Sequence, residues 1–142
     1  MKIGLVGFAG SGKTTVFNTM TGQDVPVGYG GEVRLGVVRV PDERIDQLSQ
    51  IFSPKKTTYA EMIFCDVPGE HGADQKGLSP RGLQQIRDQE ALCLVLRDFD
   101  NPTLEGDPDP LADLNAFHTE CIFADHEIVE NRLDRAKKER LD

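Results

Sequence analysis

Short apolar runs and amphipathic segments alternate along this chain in the order of an α/β domain. Lys2 to Val6 is almost continuously apolar and predicts a buried parallel strand. Lys13 to Thr21 places Val16, Phe17 and Met20 on one face, predicting a helix that stops at Gly22. Gln23 to Glu32, with Gly28, Tyr29, Gly30 and Gly31, has no period and reads as a mobile loop. Val33 to Val40 alternates and is rich in valine, predicting a second strand that ends at Pro41. A short helix follows from Pro41 or Asp42, with Ile45, Leu48, Ile51 and Phe52 on one stripe.

Farther on, Met62-Ile63-Phe64-Cys65 marks a third strand within Thr57 to Val67, running into the turn Asp66-Val67-Pro68-Gly69. A polar loop reaches Pro80, and Arg81 to Gln89 carries Leu83 and Ile86 at helical spacing. Ala91 to Leu96 is too uniformly apolar for a surface strand and reads as a central parallel one. The Asp- and Pro-rich stretch from Asp98 to Asp113 leads out of the core and divides the chain at 113/114. Leu114 to Leu141 predicts a long helix whose Ile122, Val129 and Ala136 lie seven apart. That pattern fits one arm of a helical hairpin or coiled coil, and equally a single amphipathic helix packed on the domain.

With 142 residues, 38% of them hydrophobic, the chain suffices for one domain with a buried core. Sixteen basic against twenty-four acidic residues leave a formal charge of −8, which argues against broad electrostatic binding of nucleic acid. Cys65, Cys93 and Cys121 are odd in number and widely spaced, so neither a disulfide framework nor a zinc site is expected. No run approaches the ~18 apolar residues of a membrane span, and no cationic, apolar leader opens the chain. A cytoplasmic protein with no membrane partner is the expectation.

The chemistry concentrates after the first strand. Gly7-Phe8-Ala9-Gly10-Ser11-Gly12-Lys13-Thr14 fits G-x-x-x-x-G-K-[ST], a phosphate-binding loop. Its glycines let backbone amides wrap an anion, Lys13 reaches the β and γ phosphates, and Thr14 offers a hydroxyl to Mg²⁺. The dipole of the following helix adds to the attraction. The nucleotide-binding set is therefore Phe8, Ala9, Gly10, Ser11, Gly12, Lys13, Thr14 and Thr15. Downstream, Asp66-Val67-Pro68-Gly69 matches D-x-x-G at a strand end, so Asp66 joins Thr14 as a metal residue and the Gly69 amide meets the γ phosphate.

Four segments carry a more specific resemblance. They are the phosphate loop; Gly36 to Asp46 with Pro54-Lys55-Lys56; Asp66 to Gly69 with Lys76-Gly77; and Glu120 to Asp125 through Glu130 to Leu133. Together they resemble the amino-terminal part of the YchF (Obg-like ATPase) family of translation-factor-type P-loop GTPases, including the start of that family's helical insertion. The resemblance implies a truncated P-loop three-layer α/β sandwich with a mostly parallel sheet, residues 1–113, and a helical extension, residues 114–142. It implies Mg²⁺-dependent hydrolysis of ATP or GTP by the full-length protein, a molecular-switch role and association with ribosomes.

Two positions depart from the family. The first mobile loop has Gly28-Tyr29-Gly30-Gly31 where family members carry a metal-closing Thr, and Thr57 and Thr58 lie too far along to replace it. Glu70 follows Gly69 where the family has an apolar residue. Its carboxylate either accepts a proton from the attacking water or repels the γ phosphate: at ~4 Å two like charges interact by about 4 kcal/mol at an effective dielectric of 20. Lys13, Gly69 and Glu70 form the catalytic set, with His71 a weaker candidate.

No strand ending in N-K-x-D is present, and Asn131-Arg132-Leu133-Asp134 falls inside a predicted helix. The chain is therefore expected to hold the phosphate and metal half of a site without the half that reads the base. Without a later partner strand, Ala91 to Leu96 becomes an apolar edge, and self-association through it is expected. Arg34, Arg39, Lys55 and Lys56 form either a basic ribosome-facing patch or scattered solvated charges. The alternative function is a low-turnover nucleotide sensor that binds a ribosome or protein partner through the long helix.

Overall fold

Ile3, Leu5 and Val6 give β1 (Lys2–Val6) apolar side chains on both faces, and the sheet is built around it. The structure is a computed structural model and describes residues 1–27, 33–67 and 80–139. β3 (Glu61–Asp66) and β4 (Ala91–Leu94) flank β1 in parallel, with Leu5 opposite Asp66 and Val6 opposite Leu94. β2 (Arg34–Arg39) adds antiparallel to the outer side of β3, giving the order β2-β3-β1-β4. Successive side chains point to opposite faces, so each of the inner strands feeds two cores.

On one face Leu5 and Phe64 meet Phe17 of α1 (Lys13–Thr21), all three buried. On the other, Val6, Cys65 and Val67 pack with Ile86 of α3 (Pro80–Arg87) and Phe117 of α4 (Pro110–Glu139). Helices on both faces of a mostly parallel sheet make the expected three-layer P-loop sandwich. β1 is also where the connections diverge, with β3 on one side and β4 on the other. In such sheets the crevice outside the carboxyl ends of the strands at this switch point is the binding position.

Two expectations need correction. The strand predicted over Ala91 to Leu96 ends at Leu94 and, among the described residues, is an edge strand with Leu92 and Cys93 exposed. Uniform apolarity marked the strand but not its place in the sheet order. The stripe Leu48, Ile51 and Phe52 of α2 (Glu43–Phe52) is exposed, and no residue of that helix is buried. Amphipathicity names a face; it does not supply a partner for it.

Finally, α4 begins at Pro110, four residues before the expected Leu114, because Asp109 accepts a hydrogen bond from the Ala112 amide at 2.9 Å and Pro110 opens the first turn. Its first half packs through Phe117, Cys121 and Ala124, whereas every described residue after Ala124 is exposed. The helix thus lies on the domain at one end and projects from it at the other. Arg87 marks the departure point, donating to the Ala124 carbonyl at 3.2 Å and lying 3.7 Å from Asp125.

Candidate phosphate and metal site

The loop between β1 and α1 turns through Gly10 (φ 70) and Gly12 (φ 92), backbone conformations that side chains disfavour. Gly12 is the N-cap of α1, no side chain caps that end, and no acidic residue occupies the first turn. Electropositive amides of a helix N-terminus are therefore left without a competing carboxylate on the same turn. Lys13 folds back into the loop: only 6% exposed, its Nζ donates to the Phe8 carbonyl at 2.9 Å. Burial pulls its ammonium from an ordinary value of 10.5 down to about 8, with the nearby Asp66 carboxylate opposing that shift.

Asp66 ends β3 and points to the α1 side of the sheet, because it lies two residues beyond Phe64. There its Oδ2 accepts the Thr14 hydroxyl at 2.9 Å, joining the two residues expected to hold a metal. The carboxylate is 3% exposed, and its Oδ1, like Ser11 Oγ, is buried without a hydrogen-bond partner among the described residues. Buried polar atoms of this kind need a partner. A carboxylate and a hydroxyl are the hard oxygen donors that suit Mg²⁺, and the glycine loop with Lys13 suits a phosphate chain. The residues present fit both groups.

The remaining loop residues divide by role. The Phe8 ring packs edge-on against Phe117, centroids 6.5 Å apart at 77°, so this side chain ties the loop to α4 while its carbonyl holds Lys13. Ala9 and Gly10 are partly buried, and Thr15 is exposed on α1. Gly69, Glu70 and His71 lie outside the described residues, as do Gly28, Tyr29, Gly30, Gly31 and Lys76-Gly77.

Two contributors escaped the sequence reading. The segment after β4 crosses the phosphate loop: Asn101 Nδ2 donates to the Gly10 carbonyl at 3.4 Å, and Phe99 lies beside Gly12. Arg97 fastens that segment by donating to the Gly106 and Asp107 carbonyls at 3.3 and 3.2 Å. Arg34 is the second contributor, a guanidinium 3.9 Å from Asp66 Oδ2. Only the register of β2 against β3, which sets Arg34 directly opposite Asp66, could have found it. Arg39 is likewise engaged, 3.4 Å from Glu61, while Lys55 and Lys56 are exposed. Asn131 to Asp134 sits on the projecting part of α4, away from the loop, as its helical context implied.

Comparison with known proteins points to one family. A family model described as "50S ribosome-binding GTPase" matches residues 2–128. The ribosome-binding ATPase YchF of Bacillus subtilis is 37% identical over 144 residues, covering 95% of this chain and 39% of the relative. The protein of that name from Escherichia coli O157:H7 is 34% identical over 146 residues, covering 96% and 40%. Among solved structures, the Schizosaccharomyces pombe YchF GTPase superposes with a TM-score of 0.79 at 31% identity, over 97% of this chain and 39% of that one. The chain thus spans about two fifths of the length of these relatives. With a matching family model, a superposing fold and the phosphate loop in place, the chain belongs to the 50S ribosome-binding GTPase family and corresponds to the amino-terminal part of its YchF/Obg-like P-loop members.

Proposed function

We propose that this chain supplies the phosphate- and metal-binding half of an enzyme that hydrolyses ATP or GTP as a molecular switch in the cytoplasm, in association with ribosomes. The observation that carries the reading is the Thr14–Asp66 hydrogen bond beside the buried Lys13, which gathers two oxygen donors and a cation at the mouth of the glycine loop. Loop amides from Phe8 to Thr15 hold the phosphates, and Lys13 stabilises charge that develops on the transferred group. Thr14 and Asp66 would hold Mg²⁺, which when bound neutralises β and γ oxygens.

In the hydrolytic step the oxygen of a water bonds to the γ phosphorus as the bond from phosphorus to the β–γ bridging oxygen breaks. The nucleoside diphosphate leaves with that electron pair, the Gly69 amide meets the γ phosphate, and the proton of the water passes to Glu70 where that carboxylate aids the step, or to solvent where it only repels the γ phosphate. Before that step the γ phosphate would order the loops around Gly28 to Gly31 and Gly69 to Gly77, and its loss would release them. The chain divides into residues 1–113 and an extension, 114–142, with α4 continuous across that boundary.

Single-turnover phosphate release tests this directly. Release by the wild type that disappears in Lys13→Ala supports hydrolysis, and slower release in Glu70→Leu supports a proton acceptor, whereas faster release makes Glu70 a repulsive group. A second reading, a low-turnover sensor that binds a partner through its helix, is favoured by exposed Ile122, Phe123, Val129 and Leu133 on α4. Nucleotide binding without phosphate release would select it. The exposed β4 edge supports self-association, which sedimentation at rising concentration would reveal.

A further inference from the structure

Arg34 opens β2 and stands directly opposite Asp66 in the antiparallel pair, so both side chains lie on the face that carries the phosphate loop. The sheet order runs from β2 through β3 to β1, which puts Asp66 between the guanidinium and the loop. Arg34 therefore flanks the Thr14–Asp66 pair on the side away from Lys13's loop. At 3.9 Å from Oδ2 the two groups attract, but the distance exceeds that of a hydrogen bond. Arg34 is about one-third exposed while Asp66 is buried, so the cation sits at the solvent side of the site and has room to turn.

We infer that Arg34 is a specificity residue for the terminal phosphate: it pairs with Asp66 while no nucleotide is bound and turns to the γ phosphate when a metal-bound triphosphate engages that carboxylate. This rests on the proposed function. Thr14 and Asp66 would hold the metal, which would neutralise the terminal phosphates. The phosphate at the Asp66 end would thus be the terminal one, and a nucleoside diphosphate seated by its α and β phosphates offers nothing there. A guanidinium and a metal beside one carboxylate repel each other, and the planar, always charged guanidinium has an anionic oxygen as its next partner. Its bond would form only with a triphosphate, so Arg34 adds to discrimination between triphosphate and diphosphate rather than to phosphate affinity in general.

Equilibrium titrations of the chain with ATP, ADP and inorganic tripolyphosphate, each with Mg²⁺, test the inference in wild type, Arg34→Gln and Arg34→Lys. The expected result is a roughly ten-fold or greater loss of ATP and tripolyphosphate affinity in Arg34→Gln, with ADP affinity within about two-fold and partial recovery in Arg34→Lys. Equal losses for tri- and diphosphates, or no loss, overturn it. Should Arg34→Gln fail to fold, Arg34→Lys carries the test, and an unchanged tri-to-diphosphate ratio there overturns the inference. If the wild type binds none of the three ligands, the proposed function falls and this inference with it. Wild-type binding that depends on Lys13 but not on Arg34 removes the inference alone.

Discussion

The Thr14 hydroxyl and the Asp66 carboxylate, fifty-two residues apart in sequence, meet in a 2.9 Å hydrogen bond at the carboxyl ends of β1 and β3. Thr14→Val removes the donor and leaves a buried carboxylate with less compensation. The expected loss of stability without ligand is about 1–3 kcal/mol. Combining it with Asp66→Asn should recover part of that loss, because the charge in need of a partner is gone. Thermal melts of the two single variants and the double variant check this; strictly additive losses would mean the pair does not interact.

Lys13 makes the opposite trade. Its ammonium is buried and pulled down to about 8, so in the empty protein it costs stability at neutral pH. Lys13→Met should raise the ligand-free unfolding free energy by about 1–3 kcal/mol while abolishing binding of ATP, GTP and tripolyphosphate. Melting curves with and without Mg²⁺ and ligand make the comparison. A variant less stable than wild type would show that Lys13 serves the fold rather than the ligand.

Gly10 and Gly22 have nearly equal positive φ, 70 and 68, in different surroundings. A Cβ at Gly10 would come within 2.7 Å of Leu104 Cδ1 and 2.8 Å of Asn101 Nδ2, whereas at Gly22 nothing lies within 4 Å. Both alanine variants should lose about 1–2 kcal/mol to backbone strain. Only Gly10→Ala should also weaken tripolyphosphate binding, by displacing the segment that crosses the loop. Equal binding by the two variants would deny that segment a part in the site.

At the start of α2, Asp42 accepts from the Arg44 side chain at 3.0 and 2.7 Å and from its amide at 3.0 Å. The Arg44 side-chain hydrogen bonds are the main cause holding this carboxyl below its ordinary 3.8, at about 2. Because the folded-state value is depressed, the cap's contribution is whole above pH 3.8 and fades as pH falls toward 2. Protection factors of the α2 amides should therefore fall over that interval in wild type more than in Asp42→Asn, which caps without titrating. Identical profiles would remove Asp42 as the cause.

What could be read in advance was local. The phosphate loop lies within eight consecutive residues, Gly7 to Thr14, and β1 and β3 are short apolar runs that need no partner to be recognised. The start of α4 was legible in Asp109-Pro110, a cap followed by a first-turn proline, and was obscured by the acidic composition around it. The contacts of Arg34 with Asp66 and of Asn101 with Gly10 were not legible, since each depends on strand order and register rather than on spacing along the chain. The exposed stripe of α2 shows the converse: periodicity marked the helix and its face, while no residue of that helix is buried.

The central claim is that the turn after β1 encloses a phosphate chain, with Lys13, Thr14 and Asp66 beside it. The most direct measurement is the shift of backbone amide NMR signals as MgATP or magnesium tripolyphosphate is added to the wild-type chain. The account predicts saturable shifts largest at Gly10, Gly12, Lys13 and Thr14, with Asp66 following, and their loss in Lys13→Ala. Saturable shifts confined to other residues, or none at these amides at ligand concentrations that saturate the protein, would contradict it.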